Sequence, residues 1–205
     1  CMFRNFDGLA AGVNAYAEYC YRNSYGYRFV NSEGLERLDG IRVLILPDCY
    51  YLSQREAEAI DAWVRKGGTL LVEAHAGGYN DDTGRHSRTL PGLGLDDKGV
   101  NVRLSEDAAK ALRDFGVSGG PYVPVAMRNG DILWGALRYA ELDAPDADTL
   151  GAFRPGTACI VRKKIGDGTL YYCGTNVGEG SFKNKAAFDA LLGEVLRTGN
   201  AAPTL

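Results

Sequence analysis

Residues 38–78 constrain the fold of this chain most strongly, because each boundary inside this stretch carries a chemical signal. Residues 41–46 are a short apolar run rich in branched side chains, which is typical of a parallel strand buried on both faces. A helical pattern follows between Ser53 and Gly67, and residues 69–72 predict the next strand. Two strands joined by a crossing helix lie parallel, almost always with a right-handed connection. The stretch therefore predicts a βαβ unit.

The helix of this unit has recognisable signals at both ends. Ser53 and Glu56 have the spacing of a capping box, in which each side chain binds a free backbone N–H at the helix start. Gly67 and Gly68 supply the left-handed residue that ends a helix. Four apolar positions share one face and predict the buried side of the helix: Ala57, Ile60, Trp63 and Val64. Four charged positions are expected to face water: Arg55, Glu56, Glu58 and Asp61.

The rest of the chain divides into an α/β front half and an antiparallel back half. A helix capped by Asp7 and a strand over residues 27–30 precede the βαβ unit, so the front half predicts a doubly wound parallel sheet. Residues 79–94 lack periodicity and predict a long loop, and a strand and helix are expected within residues 100–116. Short strands follow, and the sequence Gly166-Asp167-Gly168 is a strong hairpin signal. A final helix is expected from Ser181 to its end at Gly199.

Length and charge exclude several classes of protein. The chain has 205 residues, which suits one domain, and we expect residues 1–205 to be a single domain excised from a longer protein because the chain starts at Cys1. A net charge of −3 without a Lys/Arg cluster argues against a nucleic-acid partner. No apolar run approaches the roughly 20 residues that span a bilayer, so no membrane partner is expected.

The cysteines indicate a reducing compartment. Their number is odd, they are widely scattered, and none has CxxC spacing: Cys1, Cys20, Cys49, Cys159 and Cys173. Free thiols explain this pattern better than a disulfide framework or a zinc site. The expected location is therefore the cytoplasm.

Two strand ends carry the residues whose side chains are best suited to catalysis. Ligands of open α/β sheets bind beyond the carboxyl ends of the strands, where Cys49 and His75 stand. These residues have the chemistry of a nucleophile and a base, with Asp48 or Glu73 orienting the imidazole. In the simpler interpretation, Cys49 is a small buried hydrophobe and His75 is a loop histidine bound to backbone.

Other chemistries fit the same region less well. Five residues of metal-ligand type cluster there, but their spacing matches no ordinary zinc or calcium loop, so no metal is expected: Glu73, His75, Asp81, Asp82 and His86. Glu73 paired with Glu141 or Glu179 has the residue types for glycoside hydrolysis, yet nothing sets their separation. The glycine-rich stretch at residues 174–181 has Glu179 where a phosphate-binding loop needs Lys, which favours a plain connecting loop.

Several pieces of the chain, taken in order, resemble a known family. They are LDGIRVLILPDCYYLSQREAEAIDAWVRKGGTLLVEA, GGYNDDTGRH, LPGLGLDDKGV, a strand led by Trp134, and TACIVRKKIGDGTLYYCGTNVG with its closing helix. Together they resemble the β-galactosidase trimerisation domain of glycoside hydrolase family 42, which is itself similar to class I glutamine amidotransferases. The resemblance implies a domain that follows a catalytic barrel, makes subunit contacts and is not itself catalytic. The expected fold class is α/β: a three-layer, flavodoxin-like, mostly parallel sheet with helices on both faces plus antiparallel C-terminal strands.

The resemblance to amidotransferases can be compared at one turn. Those enzymes place a nucleophilic Cys at the centre of a Gly-x-Cys-x-Gly elbow, after the strand that matches residues 69–72. The corresponding residues here, centred on His75 or, one position off, on Ala74, are Glu73, Ala74, His75, Ala76 and Gly77. A neutral imidazole is a poor replacement for a thiolate that attacks an amide, and the first glycine is missing. The resemblance therefore implies a degenerate elbow without amidotransferase activity.

Three functional hypotheses follow. The first is a non-catalytic accessory domain of a carbohydrate-active hydrolase, which forms a homo-oligomer (a trimer by resemblance) and shares its parent chain with a catalytic barrel. In this hypothesis a loop shapes an interface or the approach of a ligand through Asp81, Asp82, Arg85 and His86. The second is a stand-alone hydrolase or transferase using Cys49 and His75, and the third is a small-molecule or sugar-binding domain. None of the three calls for a cofactor.

Overall fold

The computed structural model describes residues 6–31, 34–35, 37–47, 49, 51–74, 76–77, 79–80, 85–86, 100–101, 122–142, 144 and 146–204. The helices are α1 (Phe6–Arg22), α2 (Gln54–Arg65), a short helix (Val177–Gly180) and a C-terminal helix (Lys185–Thr198), with a 3-10 turn at Ser181–Lys183. The first strands are β1 (Val43–Leu46), β2 (Tyr51–Leu52), β3 (Thr69–Val72), β4 (Tyr79–Asn80), β5 (Arg85–His86) and β6 (Val100–Asn101). The later strands are β7 (Tyr122–Met127), β8 (Ile132–Tyr139), β9 (Glu141–Leu142), β10 (Asp148–Arg154), β11 (Thr157–Ile165), β12 (Gly168–Cys173) and β13 (Thr175–Asn176).

Ten strands form one sheet with a parallel part and an antiparallel part. Its longest path runs β1-β3-β12-β11-β10-β7-β8-β13. β3 pairs in parallel with β1 and with β12, and every later neighbour on this path is antiparallel. β9 joins at β11, and β6 joins at β9. A smaller sheet orders β2-β4-β5. The α/β class with antiparallel C-terminal strands is confirmed, and the antiparallel part is the longer one among the described strands.

The βαβ unit forms as its local signals predict. β1, α2 and β3 follow one another, and β1 and β3 pair in parallel. The Ser53 side chain accepts a hydrogen bond from the backbone of Glu56, whose carboxylate binds the backbone N–H of Ser53 at 2.7 Å. Gly67 has a φ of 110°, which favours glycine, and ends the helix turn. Glu56 was expected to face water but is 8% exposed, because its capping bond holds it against the helix start.

Two apolar cores cover the two faces of the sheet. Alternate residues of β3 point to opposite faces, so Leu71 belongs to one core and Leu70 to the other. The first core packs α1 and the C-terminal helix against the sheet and contains Tyr16 and Phe188, whose ring centroids are 5.3 Å apart. The second core packs α2 on the opposite face through residues such as Ile60. Three layers result, as predicted.

Several sequence-based boundaries need correction. The predicted strand at residues 27–30 is not a strand, and Phe29 within it is 72% exposed. Asp7 lies in the first turn of α1 instead of capping it, because the helix begins at Phe6. The C-terminal helix begins at Lys185 after the cap Asn184, since Ser181 starts a 3-10 turn. The predicted helix within residues 105–116 and most of the predicted loop at 79–94 lie outside the described residues. Within the part of the chain that is described, no helix has the length and apolar character to cross a membrane.

Candidate functional site at the strand ends

Glu73 occupies the first position beyond β3, where a parallel sheet ordinarily presents ligand-binding groups. Its backbone N–H donates a 3.2 Å hydrogen bond to the carbonyl of Leu46, the last residue of β1. Its side chain is only 1% exposed. A carboxylate at this depth is costly unless it is hydrogen-bonded.

Two donors from distant parts of the chain converge on one oxygen of Glu73. The Tyr16 hydroxyl of α1 donates a hydrogen bond of 2.6 Å to Oε1. The backbone N–H of Gly178, in the short helix, donates a hydrogen bond of 2.7 Å to the same oxygen. Hydrogen bonds to an ionised acceptor are stronger than neutral ones. Glu73 thus ties α1 and the short helix to the end of β3.

Glycine allows this close approach between α1 and the short helix. A Cβ placed on Gly178 would lie 2.7 Å from Cε2 of Tyr16 and 2.9 Å from the carbonyl oxygen of Gly12. A Cβ on Gly180 would overlap the carbonyl oxygen of Trp134 in β8. A side chain at either position would push the short helix away from its neighbours. The glycine-rich stretch was predicted to be a plain connecting loop, but it contains β13 and this helix.

The titratable groups around Glu73 are held in their neutral forms. Burial raises the pKa of the Tyr16 hydroxyl well above its ordinary value, and the negative charge of Glu73 raises it further. Burial likewise raises the pKa of the Cys173 thiol, with Glu73 adding to the effect. The pKa of Cys159 is raised by burial and by Cys173. Since the thiolate is the reactive form, these two buried cysteines are structural thiols and not nucleophiles.

The turn after β3 differs from a nucleophile elbow. Ala76 donates its backbone N–H to the carbonyl of Glu73 at 3.2 Å, and Gly77 has a φ of 69°. Ala74 and Ala76 are 0% and 1% exposed. The chain then continues into β4, whereas a nucleophile elbow joins a strand to a helix. His75, the central residue of the predicted degenerate elbow, lies outside the described residues.

Cys49 lies beside this turn. The backbone N–H of Gly77 donates a 2.8 Å hydrogen bond to the carbonyl of Cys49, so the segments after β1 and β3 are adjacent. The Cys49 side chain is half-buried, and its Sγ lies 3.8 Å from the carbonyl oxygen of Tyr51. Asp48 and His75 are outside the described residues. The Cys49–His75 dyad therefore stays a prediction.

The loop residues and the metal-ligand set are only partly described. Arg85 and His86 form β5 and pair with β4, but the structure describes only their backbone. Asp81 and Asp82 lie outside the described residues. Among the side chains that are described, no group of three or more metal-ligand types converges. The interface or ligand role of these loop residues stays a prediction.

Of the two predicted carboxylate pairs, only Glu73 with Glu179 can be placed by described side chains. Glu179 follows Gly178, whose N–H binds Glu73, so Glu73 and Glu179 occupy one region of the fold. Glu179 is half-buried, and the side chain of Glu141 is outside the described set. The Oε1 atom of Glu73 is already engaged by two internal donors. This arrangement stabilises the fold and gives a sugar no access to Glu73.

Sequence reasoning missed the partners of Glu73. The ring of Tyr16 lies in the first apolar core, while its hydroxyl donates to Glu73. Gly178 lies 105 residues from Glu73, so no local spacing predicts their contact. A run of glycines between a strand and a helix was the available signal, since glycine permits close backbone approach.

The described geometry defines a class: a mixed α/β domain whose strand-end carboxylate serves internal packing. The sequence profile of the β-galactosidase trimerisation domain matches residues 13–200. The chain therefore belongs to the β-galactosidase trimerisation domain family, an accessory, non-catalytic domain of glycoside hydrolases. The resemblance to this family, expected from the sequence, is confirmed. No curated protein matches the chain.

Solved structures share the fold at low sequence identity. A β-galactosidase from Bacillus circulans sp. alkalophilus matches with a TM-score of 0.71 and 17% identity over 96% of this chain and 28% of that one. A family 42 β-galactosidase from G. stearothermophilus matches with a TM-score of 0.69 and 15% identity over 100% of this chain and 28% of that one. A ThuA-like protein from Bacteroides uniformis matches with a TM-score of 0.58 and 13% identity, covering 96% and 87%. This chain spans less than a third of the length of the two β-galactosidases.

Proposed function

We propose that this chain is the association domain of a longer β-galactosidase-like hydrolase and assembles three copies of its parent. The observation that carries this proposal is the family match over residues 13–200, whose description names trimerisation. Oligomerisation and a catalytic domain elsewhere in the parent follow from that family. The number three and the β-galactoside substrate of the parent are part of the proposal.

The extent of the domain is a second part of the proposal. We expect residues 1–205 to fold as one domain of a longer chain. The single large sheet with an apolar core on each face supports one folding unit. The coverage of only 28% of each of the two β-galactosidases supports a longer parent.

The state of Glu73 supports a role in contact instead of turnover. A catalytic carboxylate must reach its substrate, but Glu73 is 1% exposed and binds Tyr16 and Gly178. The same burial argues against the sugar-binding hypothesis at this strand end, because a bound sugar needs accessible polar groups. In this proposal the amidotransferase-like scaffold expected from the sequence serves subunit contact and not catalysis.

A cytoplasmic location is proposed on the state of the thiols. Three cysteines of the described chain are buried free thiols: Cys20, Cys159 and Cys173. Free thiols persist in compartments kept reducing by glutathione and thioredoxin.

The second candidate function, a Cys49–His75 hydrolase, keeps one supporting observation. The hydrogen bond between Gly77 and Cys49 brings the thiol-bearing segment next to the turn that carries His75. Its test is a comparison of the thiol-labelling rate of Cys49 between the unaltered chain and a His75 variant.

Native mass spectrometry of the 205-residue chain tests the association role, together with an assay on a chromogenic β-galactoside. We expect a species of three times 22.1 kDa and no hydrolysis by the chain alone. A monomer at every concentration would contradict the association role. Hydrolysis that is lost on substituting Cys49 or His75 would favour the second candidate.

A further inference from the structure

The large sheet ends at β1, and one side of this strand is open. β1 pairs in parallel with β3, and among the described strands no other pairs with it. Its four residues are all apolar: Val43, Leu44, Ile45 and Leu46. An unpaired apolar edge presents free backbone N–H and C=O groups and can accept another strand.

The hydrogen bonds of β1 identify which backbone groups face the open side. The carbonyl oxygens of Arg42 and Leu46 accept hydrogen bonds from the backbone N–H groups of Thr69 and Glu73 on the β3 side. Backbone groups of successive residues in a strand alternate between its two sides. Residues 42, 44 and 46 therefore bond to β3, whereas residues 43 and 45 direct their N–H and C=O groups to the open side.

α1 runs from the carboxyl edge of the parallel strands to their amino edge. Tyr16, in the middle of α1, binds Glu73, which follows the last residue of β3. Ser24, just after α1, accepts a 2.7 Å hydrogen bond from the backbone N–H of Thr204. Gly199, shortly before Thr204, lies against the start of β1 and β3. A helix with this direction is the usual continuation of a strand that is parallel to β1.

Residues 27–30 pass around the open edge without pairing. Tyr25 packs on the first core and Val30 on the second, so the chain crosses from one face of the sheet to the other between them. The crossing begins beside the start of β1, where α1 ends. Tyr27 and Phe29 are 53% and 72% exposed, although aromatic residues favour strands. Strand-forming residues thus lie near an open strand and, in the described chain, pair with none.

The handedness of the connections places one more strand between β1 and residues 27–30. β1 reaches β3 through α2 on the face of the second core, moving toward the middle of the sheet. Because crossovers are right-handed, a crossover through α1 on the opposite face moves outward. A strand that leads into α1 therefore lies inside residues 27–30 and next to β1. The return to β1 passes Leu35 and Leu38 on the second face and moves inward, as the same rule requires.

We infer that the open edge of β1 binds one further parallel strand, which the parent chain supplies ahead of α1. This added strand bonds to Val43 and Ile45 on one side and to residues 27–30 on the other. The inference rests on the proposed longer parent and names the segment of it that completes this domain.

The cores on either side of the open edge define the chemistry of the added strand. Val43 and Ile45 pack on the first core, and Leu44 and Leu46 belong to the second. A neighbouring strand covered on both faces needs about 4–6 mostly branched apolar residues. The parent sequence ahead of Cys1 should contain such a run, joined to α1 by a short loop. A charged or proline-rich stretch there would overturn the inference.

Hydrogen exchange of single backbone amides, followed by NMR, tests the pairing. It compares the 205-residue chain with the same chain extended by about 20 parental residues ahead of Cys1, enough for one strand and its loop. We expect the amides of Val43 and Ile45 to exchange about tenfold or more slowly in the extended chain. The amides of Leu44 and Leu46 are the internal control, since they bond to β3 and should be protected in both chains.

A pair of substitutions at Ile45 checks the position of the added strand. Ile45→Pro removes one N–H on the open side and no bond to β3, whereas Ile45→Val keeps that N–H. Each variant is made with and without the extension, so any loss of packing affects both lengths equally. We expect the extension to raise the melting temperature by about 5 °C or more in Ile45→Val and by clearly less in Ile45→Pro. Equal gains in the two variants would overturn pairing at this edge.

The outcomes separate this inference from the proposed function. Fast exchange of Val43 and Ile45 in both chains would overturn the inference. Slow exchange in both would also overturn it, because the edge would then be covered without the added strand. Neither result bears on the association role, which the mass of the 205-residue chain measures. A monomeric chain whose extension protects these two amides would contradict the association role and support the added strand.

Discussion

The hydroxyl of Tyr16 binds the buried carboxylate of Glu73 at 2.6 Å, across 57 residues of sequence. This contact joins the first helix to the strand end where open α/β sheets ordinarily bind their ligands. Because Gly178 binds the same oxygen, the carboxylate holds three elements together. The position that a catalytic domain would leave open is used here to lock the fold.

Tyr16→Phe tests whether this bond stabilises the fold. The variant keeps the ring but removes one donor from a buried carboxylate, so we expect a loss of about 1–3 kcal/mol in the free energy of unfolding. Urea titration measures the loss. Tyr21→Phe, at a 79% exposed position of the same helix, should change stability by less than about 0.5 kcal/mol. Equal stability of Tyr16→Phe and the unaltered chain would show that the bond contributes nothing.

Gly178→Ala tests the close approach of α1 and the short helix. The new methyl would meet Tyr16 at 2.7 Å and the carbonyl of Gly12 at 2.9 Å, so we expect destabilisation by about 1–3 kcal/mol. Gly12→Ala is the matched control, since its methyl would find only ordinary contacts, 3.7 Å from the backbone N of Glu179. That control should be neutral or gain up to about 1 kcal/mol from helix propensity. A harmless Gly178→Ala would mean that the helices can separate freely.

The buried thiols give the fold a dependence on alkaline pH. Burial raises the pKa of Cys173 and Cys159 above the ordinary value near 9, so the folded state holds these protons more tightly than the unfolded state. Their contribution is therefore complete below about pH 9 and is lost as the pH rises toward the raised pKa, by up to about 1.4 kcal/mol per pH unit for each thiol.

Cys173→Ala checks this pH dependence. The free energy of unfolding of the variant should fall less steeply between pH 8 and pH 10 than that of the unaltered chain, whatever its absolute stability. Denaturant titrations at both pH values provide the slopes. Parallel slopes would rule out the buried Cys173 thiol as a source of alkaline sensitivity.

Thiol labelling separates the association role from the Cys49–His75 hydrolase. Three of the four described cysteines are buried and Cys49 is half-buried, so Cys49 should react first among these four in the folded chain. If exposure alone sets this order, His75→Ala leaves the labelling rate of Cys49 unchanged within about twofold. Peptide mapping by mass spectrometry assigns the label, and labelling in urea gives the rate of each unfolded thiol. A fall of about tenfold or more in His75→Ala would favour the dyad.

Local signals predicted much of the fold. The capping box at Ser53 and Glu56 formed with both reciprocal bonds, because its spacing alone determines the contact. The hairpin at Gly166 and Asp167 joined β11 to β12 with Ile165 opposite Gly168. Each of these features depends on residues a few positions apart.

The sequence did not predict features that depend on distant neighbours. Residues 27–30 have strand-forming side chains, but they pair with no strand, and Phe29 faces outward instead. The contacts of Glu73 reach 57 residues to Tyr16 and 105 residues to Gly178. A single sequence contains no spacing rule for such contacts, so the hydrogen bonds of Glu73 to Tyr16 and Gly178 could not be predicted.

Sedimentation equilibrium of the 205-residue chain over a range of concentrations tests the central claim most directly. The account expects a mass that rises with concentration to three times 22.1 kDa and then stays constant. A mass that remains at 22.1 kDa throughout, in a chain shown to be folded, would contradict it.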